Sequence, residues 1–497
     1  SMPRAVLAID QGTTGTTALV IAHDGSVLGR AYSEFTQYYP KPGWVEHDAD
    51  EIWKVSLDVA GRAVASADLE GAELAAIGVT NQRETTVIWD RRTGRPVHRA
   101  VVWQSRQTAE ICERLRTAGH EDWVRERTGL VLDAYFSASK IRWILDRVPD
   151  GQALAERGDL LFGTIDSWLL WKLTGGEIHA TDPTNASRTL LFDIHRRRWA
   201  SELLELFDVP RVMLPKVRPS SGVFGETRPL GSIPAGIPVA GIAGDQQAAL
   251  YGQGCWQPGM VKATYGTGSF VVLNMGRTAT LSEGGLVTTV CCDASGAHAY
   301  ALEGSVFTTG AAIQWLRDEM GLIESASETE TIGSRVTDTM GVYVVPAFAG
   351  LGAPHWDMRA RGAVVGLTRG SGRNQIIRAT LDSIAYQTRD VIEVMNRDSG
   401  IEITELRVDG GAAANNVLMQ FQADILGIPV VRPMLVETTA AGAAFLAGLG
   451  VGFWSDSTEL EGAWRRERLF EPGMGEAQRE ELCAGWRKAV RQVLTES

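Results

Sequence analysis

Short apolar runs alternate along this chain with glycine-rich polar turns, and the first such unit is the most pointed. Val6, Leu7, Ala8 and Ile9 form an apolar run that ends at Asp10 and meets Gly12-Thr13-Thr14-Gly15. Consecutive apolar residues closed by turn residues predict a buried strand. The glycines let the backbone turn tightly, so that amides and threonine hydroxyls face phosphate oxygens, while Asp10 stands where a carboxylate holds Mg²⁺ through its waters. The pattern returns about half a chain later. Over 260–274, apolar and β-branched stretches flank Gly266-Thr267-Gly268, which predicts a second hairpin and, from the repetition, two related α/β domains with their turns facing across a cleft. Two hairpins of one style also arise by chance.

Between and after the hairpins the same alternation predicts further elements. Residues 74–80 read as a buried strand leading into Asn81-Gln82-Arg83-Glu84, and 85–89 as a returning strand. Residues 237–244 read as a strand that delivers Asp245-Gln246-Gln247 to a helix from Ala248 onward. A short strand over 406–408 precedes Asp409-Gly410-Gly411 and a helix over 415–426. Glycine and proline cluster at 252–259, the expected boundary between a first domain, 1–253, and a second, 254–497.

Length agrees with two domains, since 497 residues exceed one ordinary core. A net charge of -12 argues against nucleic-acid or anionic-membrane partners. The five cysteines show no metal or redox spacing, so a reducing cytoplasmic setting is expected. Asp10 interrupts the first apolar run, so no export segment is expected, and the uncharged run 438–454 is short for a span and rich in glycine and alanine, reading as a closely packed helix rather than a membrane insertion.

Candidate chemistry collects at strand ends. Asp10 and Asp245 each follow a buried strand, in the loops that α/β architectures give to ligands. One can hold a metal while the other accepts the proton of an attacking hydroxyl; for Asp245 a helix-capping role competes with this reading. Arg83 and Glu84 together can donate to and accept from the hydroxyls of a small polyol, or form a surface ion pair. Trp103, Tyr135 and Phe270 can wall the carbons, or simply be core. Asp409-Gly410-Gly411 before a helix allows close backbone approach to a ring or phosphate. The chain has neither a P-loop nor a complete dinucleotide fingerprint, and its eight histidines have no metal-like spacing.

These residues make the chain resemble the FGGY carbohydrate kinases, in particular the branch that phosphorylates glycerol. The carrying segments are IDQGTTGT at 9–16, YPKPGWVEHD at 39–48, TNQRETT at 80–86, YFSASKIRWILD at 135–146, TNASRTLLFDIH at 184–195, GIAGDQQAAL at 241–250, YGTGS at 265–269 and VDGGAAANN at 408–416. Residues 135–146 follow one family signature up to its last position, where Arg147 departs, and 362–382 follow the other. The resemblance implies two ribonuclease-H-like domains of the actin and hexokinase type closing on ATP. It implies transfer of a phosphoryl group from Mg-ATP to glycerol, giving sn-glycerol 3-phosphate. By the same resemblance Asp245 is the general base, and Arg83, Glu84, Trp103, Tyr135, Gln246 and Phe270 hold glycerol. Asp10 serves Mg²⁺; Thr13, Thr14, Gly15, Thr17, Gly266, Thr267, Gly310, Gln314, Gly410, Gly411 and Asn415 serve ATP. A homodimer or homotetramer is expected.

Three departures from the family pattern stand out. Gly15 and Thr17 replace a usual serine and a phosphate-touching arginine, which predicts a weaker hold on nucleotide. The loop 228–236 lacks the features used by fructose 1,6-bisphosphate and carries Ser232 in place of a phosphorylatable histidine, so neither that inhibition nor phosphotransferase-system activation is expected. The segment after Pro472 differs from the docking helix for the sugar-uptake regulator. The competing readings are a family kinase for a longer polyol or ketose, and an ATP-gated binding machine of the same fold.

Overall fold

The computed structural model describes residues 2–495. The first apolar run becomes the strand Ala5–Gln11, which pairs antiparallel with Gly15–Ala22, setting Asp10 opposite Thr17. It lies inside a six-stranded sheet, which is why its sequence is continuously apolar rather than alternating. The strand Val27–Glu34 completes an antiparallel meander, and Leu74–Asn81 and then Pro238–Gly244 add in parallel on the other side. The second half repeats this order. Val261–Tyr265, Ser269–Gly276 and His298–Val306 form the meander, and Leu406–Asp409 and Val430–Pro433 add in parallel. Each sheet closes beside its last parallel strand with an antiparallel one, Ser221–Glu226 in the first and Arg466–Phe470 in the second. The repetition expected from the two hairpins is therefore a repetition of topology.

Three boundaries differ from the sequence reading. The strand Thr86–Asp90 does not return to the first sheet; it joins a separate four-stranded sheet with Glu46–His47, Ala100–Val101 and Leu160–Thr164. Gly15 lies in its strand rather than in the turn. The helix after Pro238–Gly244 starts at Asp245 itself, because Gln246 and Gln247 offer no apolar periodicity from which to read its first turn.

Thr438–Gly450 is the expected packed helix, nearly all of it buried. It belongs to the second half by sequence but lies on the first sheet and on the helix Asp245–Gly252. Small residues make this approach possible. A Cβ at Gly78 would stand 2.2 Å from the Ala443 carbonyl oxygen, one at Gly241 2.4 Å from the Ala447 amide, and one at Gly442 1.8 Å from the Ala248 oxygen. The glycine and alanine content of this run is thus a backbone-to-backbone contact between the halves. Among the described residues no helix is long and apolar enough to cross a membrane.

Candidate active site

The strand Leu74–Asn81 ends in a turn that presents Arg83 and Glu84. Glu84 adopts a left-handed conformation with φ of 64°, which costs a side-chain-bearing residue about 1–2 kcal/mol. Its carbonyl repays the arrangement by accepting the hydroxyls of Thr86 and Ser137, each at 2.9 Å. Both charged side chains are buried, Arg83 at 3% and Glu84 at 1% exposure, so the surface ion pair is excluded. Buried charges must be paired, and the pairs define the site. Arg83 Nε stands 3.2 Å from Asp245 and 3.7 Å from Glu84, while its Nη1 donates to Glu303 at 2.5 Å. Arg188 closes the ring, donating to Glu84 at 2.6 Å and reaching Glu303 at 2.9 Å. Two guanidiniums thus hold three carboxylates.

Within this ring the carboxylates differ. Burial pushes Glu303 up, but Arg188 and Arg83 outweigh it and hold its carboxyl at about 2. Burial raises Glu84, and its guanidinium partners offset this only in part. Asp245 is likewise raised by burial against the pull of Arg83. It does not cap its helix: Gly244 is the N-cap, and besides its pairing with Arg83 the Asp245 carboxylate accepts the adjacent Gln246 amide, at 2.8 Å. The capping role is set aside, and the side chain keeps 27% exposure. Asp10 has burial and the nearby Asp245 charge acting in one direction, which brings its carboxyl to about 7.

Each glycine turn is closed by a backbone bond between its glycines, the first loop being one residue longer than the second. In the first, the Gly12 amide donates to Gly15 at 2.9 Å; in the second, the Gly266 amide donates to Gly268 at 2.9 Å. Among the described residues no backbone bond uses the amides of Thr13, Thr14, Thr267 or Gly268, which leaves them available to an anion. The Gly266 and Thr267 carbonyls accept the Gly310 and Ala311 amides at 2.9 and 3.1 Å, seating the helix Gly310–Asp318 against the second turn. Gly410, at φ of 90°, lies where a Cβ would meet the Tyr265 oxygen at 2.4 Å. Gly266, Thr267, Gly310 and Gly410 therefore come together, with Gly411 opening the short turn that follows. Asn415 caps the helix Asn416–Leu426 by accepting the Leu418 amide, and its own amide donates to Thr329 at 3.1 Å. Thr14 and Gln314 are exposed. Gly15 has a local reason: a Cβ there would fall 2.4 Å from the Tyr32 hydroxyl, and Tyr32 stands across the strands from Thr17.

Two of the aromatic residues face the ring, and Tyr135 also packs on the core beside Phe136. Phe270 faces Arg83, with the guanidinium carbon 5.8 Å from its ring centre. Tyr135 faces Arg188 at 5.5 Å and packs edge-on against Trp103 at 5.6 Å. The Trp103 indole donates to the Thr13 hydroxyl at 2.9 Å, so the apolar wall is tied to the first turn. Gln246 accepts the ammonium of Lys262, which also donates to Thr264 at 2.8 Å.

Three participants had escaped the sequence reading. Glu303 lies within the strand His298–Val306, Lys262 within Val261–Tyr265, and Arg188 in the irregular stretch after Pro183–Ala186. For Glu303 and Lys262 the available signal was a charged residue inside a strand, which demands a buried partner.

The chain matches the N-terminal domain model of the FGGY family of carbohydrate kinases over residues 5–252 and the C-terminal domain model over 261–451. The chain belongs to the FGGY family of carbohydrate kinases. Among individual members of that family, it is 57% identical to a glycerol kinase of Caldanaerobacter subterraneus subsp. tengcongensis over 493 residues, 99% of each chain. A crystal structure of Plasmodium falciparum glycerol kinase with ADP superposes with a TM-score of 0.93 at 34% identity, over 99% of each chain. A xylulose kinase of Rhodospirillum rubrum shares the FGGY fold at 23% identity, with a TM-score of 0.86 and 98% of each chain covered.

Proposed function

We propose that this FGGY kinase transfers the terminal phosphoryl group of ATP to glycerol, giving sn-glycerol 3-phosphate and ADP. The observation that carries the reading is Arg83, whose Nε stands 3.7 Å from Glu84 and 3.2 Å from Asp245. A buried site of this kind favours a molecule that supplies hydroxyls to each group and rejects one that leaves them unpaired. Identity of 57% over nearly the whole length to a named glycerol kinase supports the triol over a longer sugar.

In this mechanism Arg83 and Glu84 orient two hydroxyls while Tyr135, Trp103 and Phe270 cover the carbons and Gln246 adds a polar contact. Asp245 accepts the proton of the terminal hydroxyl as its oxygen attacks the γ-phosphorus and the bond to ADP breaks. Thr13, Thr14, Gly15, Thr17, Gly266 and Thr267 cradle the polyphosphate; Gly310, Gln314, Gly410, Gly411 and Asn415 line the nucleoside. Asp10 suits Mg²⁺, since its raised carboxyl lacks a cationic partner and Mg²⁺ is ordinarily held by one or two carboxylates together with substrate phosphates. There the ion would neutralise polyphosphate charge. We further propose lobes at 1–253 and 254–497, a homodimer or homotetramer, and a cytoplasmic setting; the five free, buried cysteines are in keeping with the last.

The test is ADP release from Mg-ATP with glycerol, dihydroxyacetone, erythritol, xylulose and ribulose. Strongest stimulation by glycerol is expected. A preference for a longer sugar overturns the triol pocket, and ATP hydrolysis indifferent to every polyol moves the chain to ATP-gated binding.

A further inference from the structure

Away from the cleft, a surface cavity of about 640 Å³ is bordered by Arg196, Arg197, Arg198, Arg211 and Lys216, against only two carboxylates, Asp193 and Glu202. In a chain of net charge -12 this is a local inversion. Its cations are not spent on each other's neighbours. Arg196 reaches Asp193 only at 4.0 Å, and among the described residues no ion pair involves Arg197, Arg198, Arg211 or Lys216. The Asp193 carboxylate accepts the backbone amides of His195 and Arg196, each at 2.9 Å, which holds it to the turn of its own hairpin.

The cavity is also held in shape. The short hairpin of Phe192–Asp193 and Arg198–Trp199 carries three of the arginines. Trp199 packs edge-on to Phe192 at 5.7 Å, and its indole donates to the Pro215 carbonyl at 3.0 Å, fastening the hairpin to the segment that bears Lys216. Arg211 donates to Ser201 at 2.9 Å and is thereby oriented. Arg197 sits at a φ of 58°, a left-handed conformation that disfavours arginine and recurs at ligand-binding turns. Leu214 and Pro215 supply a buried floor.

We infer that this cavity is a second ligand site, separate from the polyol and nucleotide cleft, for a small organic molecule carrying two or more phosphate or carboxylate groups. Unpaired guanidiniums around a concavity suit bidentate contact with such anions, and the apolar floor suits a compact carbon skeleton. The site has a route to the cleft. The hairpin's Ile194 carbonyl accepts the Tyr300 hydroxyl at 2.6 Å, and Tyr300 shares the strand His298–Val306 with Glu303. Occupancy is therefore expected to alter the kinetics of the transfer.

The experiment is calorimetric titration of the full chain with inorganic pyrophosphate and with citrate, at low salt, with the cleft kept filled by saturating ADP and glycerol. One anion site per chain is expected, for at least one of the two probes and weakening with salt. The double substitution Arg198→Ala, Lys216→Ala should weaken it by at least about tenfold, the usual worth of one charge-assisted contact, with basal turnover unchanged. Arg197→Gly, which keeps the left-handed backbone and removes the charge, should weaken binding without lowering the melting temperature. Absence of binding for both probes overturns the inference, as does equal binding by wild type and both variants. Capture by anionic phospholipid vesicles or duplex DNA through these same residues, with neither probe bound, also overturns it and makes the patch a macromolecular surface.

Discussion

Glu303→Gln tests whether the buried ring is held together as described. The substitution keeps the shape of the side chain and removes the charge that Arg83 and Arg188 share. Its size follows from the carboxyl itself, which stands at about 2 against an ordinary 4.5. At about 1.4 kcal/mol per unit, that displacement corresponds to roughly 3–4 kcal/mol of native-state preference for the charged form. Breaking a buried ion pair from one side independently costs about 3–5 kcal/mol. Because the carboxyl is depressed in the folded protein, this stability is complete above about pH 4.5 and is lost as the pH falls toward 2. The variant should therefore melt below wild type by the same margin at pH 7 and pH 6, roughly 6–16 °C at about 2–4 °C per kcal/mol for large domains. Calorimetric melting of both proteins at the two pH values is the assay. Equal melting temperatures would refute the pairing, and a margin that vanishes at pH 6 would refute the assignment of the depressed carboxyl.

Two further outcomes follow from the geometry. Arg83→Ala should raise the KM for glycerol at least about tenfold, the loss of a charged hydrogen bond, while the KM for ATP stays within about twofold; steady-state titration of each substrate checks this, and equal rises in both would dismantle the polyol fork. Gly442→Ala puts a methyl carbon where only 1.8 Å separates it from the Ala248 oxygen, so its helix must shift away from the helix Asp245–Gly252 at about 1–3 kcal/mol; a melting temperature unchanged within 1 °C would show that this helix–helix contact has slack.

The elements that could be read from sequence were those whose local pattern agrees with their tertiary setting. The first hairpin strand was legible as a continuous apolar run because it lies inside its sheet, and the turns of both hairpins needed glycine. Asp10, Arg83, Glu84 and Asp245 were visible because each follows such a run. Glu303 and Arg188 were not, since a charge within a strand or an irregular stretch announces that it needs a partner without saying which one; only the fold brings them to Arg83 and Glu84. The separate four-stranded sheet escaped for another reason. Two of its strands are only two residues long, too short for any period to register. Asp245 was legible as the acidic residue that follows a strand, but its place in the first turn of the helix was not, because polar residues at 245–247 hide where the helix begins.

The central claim is that Asp245 takes the proton from the attacking hydroxyl, and Asp245→Asn tests it most directly. Single-turnover phosphoryl transfer to glycerol should fall by about 10²–10⁴-fold, the usual contribution of a general base, while calorimetric ADP affinity stays within about twofold of wild type. Transfer within tenfold of wild type, with ADP still bound, would contradict the account.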